Sequence, residues 1–272
     1  MQSFGAFPVH LIRGITRHRE LIVALVKREV VGRYRGSMVG MLWSFLNPVL
    51  MLIVYTFAFS VVFKARWTAD SDSKTEFALI LFAGLIVFNL FAECLNRAPG
   101  LILANANYVK KVVFPLEILP WVVMGAALFH ALVSLAVWLL FYAVIFGLPH
   151  RTVVFVPLVL LPLILFTMGL SWFLASVGTY LRDVGQVVGL LVTALLFLSP
   201  IFYPASALPE SYRTVLQFNP LAVVIEQIRE VLVWGRVPSP ALWALGFGVS
   251  LLVAALGFAW FQKTRKGFAD VL

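Results

Sequence analysis

Side chains able to do covalent chemistry are few in this sequence, and they fall into no catalytic pattern. Ser171, Ser250 and His130 each lie inside a long apolar run. A serine nucleophile needs a base beside it, and no G-x-S-x-G elbow frames either serine. In an apolar helix such groups hydrogen-bond to a neighbouring helix, and that is the expectation for these three. Cys94 is the only cysteine, so it can form no intrachain disulfide and reads as a small packing residue. No G-x-x-x-x-G-K-[ST] loop occurs, so ATP is not bound by that route. No catalytic residue and no metal site are expected.

Ionisable groups inside the apolar runs are equally sparse. Glu93 lies one helical turn before Arg97, which makes Arg97 its expected partner. The centres of the runs are almost free of carboxylates, and this disfavours an ion-driven carrier. Aromatic residues are abundant, with 24 Phe, 8 Trp and 7 Tyr. Trp43, Trp67, Trp121, Tyr142, Tyr180 and Tyr203 fall near the ends of apolar runs, as in an interfacial belt. Phe45, Tyr55, Phe59, Phe88 and Phe91 lie within runs. They are the candidate channel-lining aromatics, because flat rings let sugar rings slide on many weak contacts.

The elements that carry these residues are membrane helices. The chain is 62% hydrophobic and 12% charged, against about 25% charged in a soluble domain. A span needs about 20 mostly apolar residues. Six segments qualify, at about 39–63, 77–96, 118–146, 153–180, 184–203 and 241–261. The fold class is therefore all-α, a polytopic membrane protein with six transmembrane helices. Of the 21 basic residues, 14 lie in segments 1–38, 97–117, 181–183 and 262–272. The positive-inside bias makes that side cytoplasmic and places both termini there. The net charge of +9 is spread between spans. It reads as topology signal and contact with anionic membrane lipids, with no nucleic-acid partner. The N-terminus has no signal-peptide pattern.

Two segments do not span. Residues 15–37 place Leu21, Leu25, Val26 and Val30 at helical spacing among Arg and Lys, which predicts an amphipathic helix at the membrane interface. Residues 204–240 contain Asn219-Pro220 before LAVVIEQIREVL, and predict a re-entrant hairpin of short helices before the last span, shielded by protein or water. The domains are thus 1–38 (cytoplasmic, with the interface helix), 39–261 (membrane) and 262–272 (cytoplasmic tail). Small residues recur at Gly32/Gly36/Gly40, Gly185/Gly189 and Gly246/Ser250/Ala254. They permit close helix approach, within one chain or between two.

The stretch REVVGRYRGSMVGMLWSFLNPVLMLIVYTFAFSVVF (28–63) resembles the first-span region of polysaccharide exporters of the ABC-2 permease type. The stretch SPIFYPASALPESYRTVLQFNPLAVVIEQIREVL (199–232) resembles the region before their last span. The number and order of spans match over nearly the whole chain, and the O-antigen branch is the most similar. The resemblance implies a homodimer, two copies of a separate ATPase subunit that binds ATP and Mg, and export of a lipid-linked polysaccharide across the bacterial inner membrane. It implies that residues about 99–114 dock on the ATPase, through Asn105, Asn107, Tyr108, Lys110 and Lys111. Arg28, Arg33 and Arg35 stand just before the first span, where guanidinium groups suit the pyrophosphate of a lipid carrier; anchoring alone is the other reading. A capsule, teichoic acid or small lipid or drug exporter remains an alternative, as does a membrane scaffold without transport.

Overall fold

The computed structural model describes residues 16–58, 67, 74–110 and 114–272. Among these the α-helices are α1 (Arg19–Tyr34), α2 (Trp43–Thr56), α3 (Lys74–Arg97), α4 (Leu101–Ala104), α5 (Ala106–Lys110), α6 (Leu119–Phe146), α7 (Val156–Tyr180), α8 (Val184–Leu198), α9 (Glu210–Gln217), α10 (Pro220–Leu232), α11 (Pro240–Thr264) and α12 (Phe268–Val271). No strand occurs among the described residues. The protein is an all-α, polytopic membrane protein.

Among the described residues four segments are long and apolar enough to cross a bilayer, namely Thr75–Arg97, Leu116–Phe146, Arg151–Tyr180 and Pro240–Val271. Gly40–Thr56 and Val184–Leu198 are shorter apolar helices. The first continues in sequence into residues outside the described set. The second, α8, ends sooner than the apolar run suggests. Ser199 turns to extended backbone at φ −90°, ψ 150°, because the residue before Pro200 is sterically pushed out of the helical region. At 15 residues, α8 is about 22 Å long, short of a hydrocarbon core of about 30 Å.

α3 lies at the centre, with α2, α6, α7, α8 and α10 packed around it. From Phe77 to Phe88 every position is buried, as expected of a helix apolar on all sides. Indole donors tie the layers together. Trp138 Nε1 donates to Leu79 O at 2.8 Å and joins α6 to α3. Trp172 Nε1 donates to Glu117 O at 3.0 Å, and Trp243 Nε1 joins α11 to Leu158 O at 2.8 Å. Each satisfies a polar group that lipid cannot.

α7 and α11 form the most intimate helix pair. Gly257 packs directly on the backbone of Gly169, with no room for a Cβ at either position. Ser250 and Ala254 are buried in the same seam. The Ser250 and Ala254 part of that stripe therefore serves packing within the chain. Gly32, Gly36, Gly40, Gly189 and Gly246 have nothing within 4 Å of a Cβ position, so close approach at these sites is not used within one protomer. α2 and α8 leave apolar side chains exposed, among them Ile53, Val54, Leu190 and Leu191.

α1 is only partly two-faced, because Val23 and Val31 are exposed beside its charged side chains. Ile22, Leu25, Val26 and Val30 turn inward, and Lys27, Arg28 and Arg35 turn outward, whereas Leu21 is exposed. α1 lies along the first half of α6, where Ile22, Leu25 and Val26 meet Phe114, Ile118 and Val122. Val26 sits on Gly125, where a Cβ would come within 2.5 Å of it.

Candidate functional site

Three helices bring a charged cluster together beside α1. Arg33 of α1 pairs with Glu93 of α3. His130 of α6 meets the same carboxylate, Nδ1 to Oε2 at 3.2 Å, and its Nε2 lies 3.2 Å from Tyr34 Oη. Burial pushes the Tyr34 hydroxyl up from its ordinary value, so it stays protonated and able to donate. Arg97 pairs with Glu29 of α1, and its Nη1 lies 3.8 Å from Glu93. The i,i+4 pair expected from spacing exists, but it is the looser contact. The closer partners of both residues come from a helix about 60 positions earlier. His130 does bond across helices as its type suggests. Ser171 does not, since its Oγ is buried with no hydrogen-bond partner among the described residues.

The same end of the bundle carries the segment expected to dock a partner. It folds as two short helices, α4 and α5, broken at Asn105, whose Nδ2 donates to Leu101 O at 2.9 Å. Pro99 is wedged on Gly178 of α7, and Leu101 and Ile102 are buried. The segment is thus seated on the membrane helices. Tyr108 stacks on Phe114 with centroids 4.3 Å apart, and Arg28 Nη1 donates to Tyr108 Oη at 3.1 Å. Lys110 reaches the carbonyl of Leu272, beyond α12. Asn107 and Lys110 are exposed. Lys111 lies outside the described residues.

The three arginines before the first span therefore differ. Arg28 is held by Tyr108 and Arg33 by Glu93, while Arg35 is exposed with no ion-pair partner among the described residues. The aromatics differ too. Phe45 is exposed at 38% and Tyr55 is half-buried, whereas Phe88 and Phe91 are buried inside the protomer at 5% and 2%. Phe91 lines an apolar cavity of about 320 Å³ with Phe166, Phe173, Val188 and Leu191. Phe59 lies outside the described residues.

At the other end the predicted hairpin is present, as α9 and α10. Asn219 caps α10, its Oδ1 accepting from Leu221 N at 3.0 Å and its Nδ2 donating to Ser199 Oγ at 3.0 Å. α10 packs on α3 and α7, and Gly235 ends the segment at φ +64°. The centre of this region is a residue that sequence reasoning passed over. Arg229 is fully buried. Its Nε donates to Ile80 O at 3.2 Å, Nη1 to Pro200 O at 2.5 Å and to Glu226 Oε1 at 2.9 Å, and Nη2 to Ile201 O at 3.0 Å. Its guanidinium carbon lies 4.3 Å from the ring centre of Trp67, and Gly84 leaves room for its edge. Trp67 is accordingly buried under a cation and not placed in an interfacial belt. Burial of a charge is tolerated only with such complete pairing.

No nucleophile–base pair is assembled among the described residues. No group of three metal-ligating side chains occurs among the described residues. An all-α bundle with apolar helices long enough to cross a bilayer defines a polytopic membrane protein. Comparison with known proteins makes this specific. The family described as ABC-2 type transporter matches residues 20–233. The O-antigen export system permease protein RfbA of Myxococcus xanthus is 31% identical over 266 residues, covering 96% of this chain and 99% of that protein. The Klebsiella pneumoniae protein of the same description is 27% identical over 254 residues, covering 93% of this chain and 95% of that one. The polysialic acid transport protein KpsM of Escherichia coli is 28% identical over 229 residues, 82% of this chain and 85% of that protein. The chain belongs to the ABC-2 type transporter family.

Proposed function

We propose that this chain is the channel-forming subunit of an ATP-driven exporter that moves a lipid-linked polysaccharide of the O-antigen type across the bacterial inner membrane. The observation that carries this reading is similarity along nearly the full length of O-antigen export permeases. The working unit is a homodimer with two copies of a separate ATPase, which binds ATP and Mg. The exposed apolar faces of α2 and α8 and the open Gly189 support a second copy as partner. Both termini are cytoplasmic, as the distribution of Lys and Arg supports.

The ATPase docks on the α4–α5 segment through Asn105, Asn107, Tyr108, Lys110 and Lys111. Tyr108 hands the motion to α1 through Arg28, and Pro99 hands it to α7 at Gly178. Arg35 is the arginine best placed to meet a pyrophosphate, since Arg28 and Arg33 already have partners. Phe45, Tyr55 and Phe59 remain the candidates for lining a passage between protomers. Co-purification tests the reading: the chain should bring down an ATPase subunit, and deleting its gene should remove surface polysaccharide. A chain that binds no ATPase would instead be a scaffold, and loss of a small lipid without loss of polysaccharide would mark a different exporter.

A further inference from the structure

From Phe77 to Arg97, α3 is buried or half-buried at every position except two, Asn89 and Asn96. They are seven residues apart, two helical turns, and so share one face. Between them on that face lie Ala92 and Glu93, both half-exposed, and Glu93 holds Arg33. The central helix of an apolar bundle thus carries one polar strip, running from Asn96 past the Arg33–Glu93 pair to Asn89, towards the membrane interior. Asn89 lies eight residues before Arg97, about 12 Å along the axis. Among the described residues neither amide makes a side-chain hydrogen bond. An amide at that depth cannot face hydrocarbon without loss, so polar residues inside spans mark pathways or helix contacts.

The chemistry of the strip selects its occupant. Each amide offers two donor hydrogens and an acceptor oxygen and carries no charge. A lipid chain would leave both unsatisfied, and the charges on this face, Glu93 and Arg33, are already paired with each other, so neither is free as the countercharge of an ionic cargo. A neutral chain bearing many hydroxyl groups matches them, because each hydroxyl both donates and accepts. We propose that Asn89 and Asn96 form a polar wall along which the hydroxyl groups of a sugar chain slide, exchanging hydrogen bonds as the chain advances. This rests on the exporter reading and adds to it a contact that the aromatic residues do not supply.

The test uses the complete complex of this chain with its ATPase, reconstituted in vesicles, with the buried Cys94 replaced by alanine. Single cysteines introduced as Asn89→Cys and Asn96→Cys should react with a charged, water-soluble thiol reagent, and the lipid-linked polysaccharide should protect both. Asn89→Leu should lower export about tenfold, the worth of one lost hydrogen bond set, while ATP hydrolysis continues; Asn89→Gln should restore most of it. Normal export by Asn89→Leu beside an active wild-type complex would overturn this inference alone. So would a cysteine at position 89 that ignores the reagent and cross-links to a second copy. A wild-type complex that moves no polysaccharide would overturn the exporter reading, and this inference with it.

Discussion

Arg33 of α1 and Glu93 of α3 are joined by an ion pair, and His130 of α6 lies 3.2 Å from the same carboxylate. One side chain thereby holds an interface helix to two membrane helices. Removing it by Glu93→Ala leaves Arg33 and His130 without their acceptor. The expected cost is about 1–3 kcal/mol, read as a lower midpoint of thermal unfolding in detergent and faster proteolysis within α1. Glu93→Gln still accepts a hydrogen bond and should lose less. An unchanged midpoint in Glu93→Ala would contradict the arrangement.

Arg229 is predicted to be the most sensitive charged position at the hairpin end. Arg229→Met fills the space but strands the carbonyls of Ile80, Pro200 and Ile201 and the carboxylate of Glu226. Each unsatisfied buried group costs roughly 1–3 kcal/mol, so little folded protein should be recovered. Arg229→Lys offers a point charge in place of a fork and should be intermediate. Trp67→Phe keeps a ring face and should be milder than Trp67→Ala, the cation–π term being about 2 kcal/mol when desolvated. Size-exclusion profiles and thermal midpoints order these variants.

The glycines separate packing within a protomer from free surface. Gly257→Ala and Gly169→Ala each place a methyl group on the backbone of the facing helix. Forced overpacking costs typically about 1–3 kcal/mol, more where backbone must move. Gly246→Ala meets nothing in the protomer and should leave the midpoint unchanged or slightly higher, since Ala favours helix over Gly by about 1 kcal/mol. A Gly246→Ala loss as large as that of Gly257→Ala would show that the α7–α11 seam is misplaced.

Much of the fold was legible in the sequence, because length and hydropathy set where helices can cross a membrane. The inward face of α1 and the hairpin starting at Asn219-Pro220 were readable for the same reason: periodicity and caps are local signals. Positions in space were not. Glu93 and Arg97 advertise an i,i+4 pair, yet Arg33 and Glu29 take the shorter contacts from far along the chain. Arg229 is, in sequence, one of three arginines between residues 204 and 240, and the backbone carbonyls it meets from distant segments leave no mark there. Phe88 and Phe91 could not be assigned a side until α3 was seen to be enclosed. Ser171 shows the limit of residue-type reasoning, since its buried hydroxyl has no partner among the described residues.

The seated α4–α5 segment predicts a division between its exposed and its packed residues. Asn107→Ala changes an exposed side chain and should weaken ATPase binding without altering thermal stability; Lys110→Glu should weaken binding too, with a small loss of stability from the broken contact to Leu272 O. Tyr108→Ala removes a stacked ring and the acceptor of Arg28. It should weaken binding and also separate ATP hydrolysis from export, leaving hydrolysis running with little transport. Pull-down of the ATPase with paired hydrolysis and export assays distinguishes these outcomes.

The central claim is tested most directly by transport itself. Purified chain and its ATPase, reconstituted in vesicles with lipid-linked polysaccharide on the ATPase side, should move the sugar chain into the lumen only when ATP and Mg are supplied. The account predicts lumenal polysaccharide that tracks ATP hydrolysis and disappears when the ATPase is omitted. Polysaccharide that stays outside while the assembled complex hydrolyses ATP would contradict it.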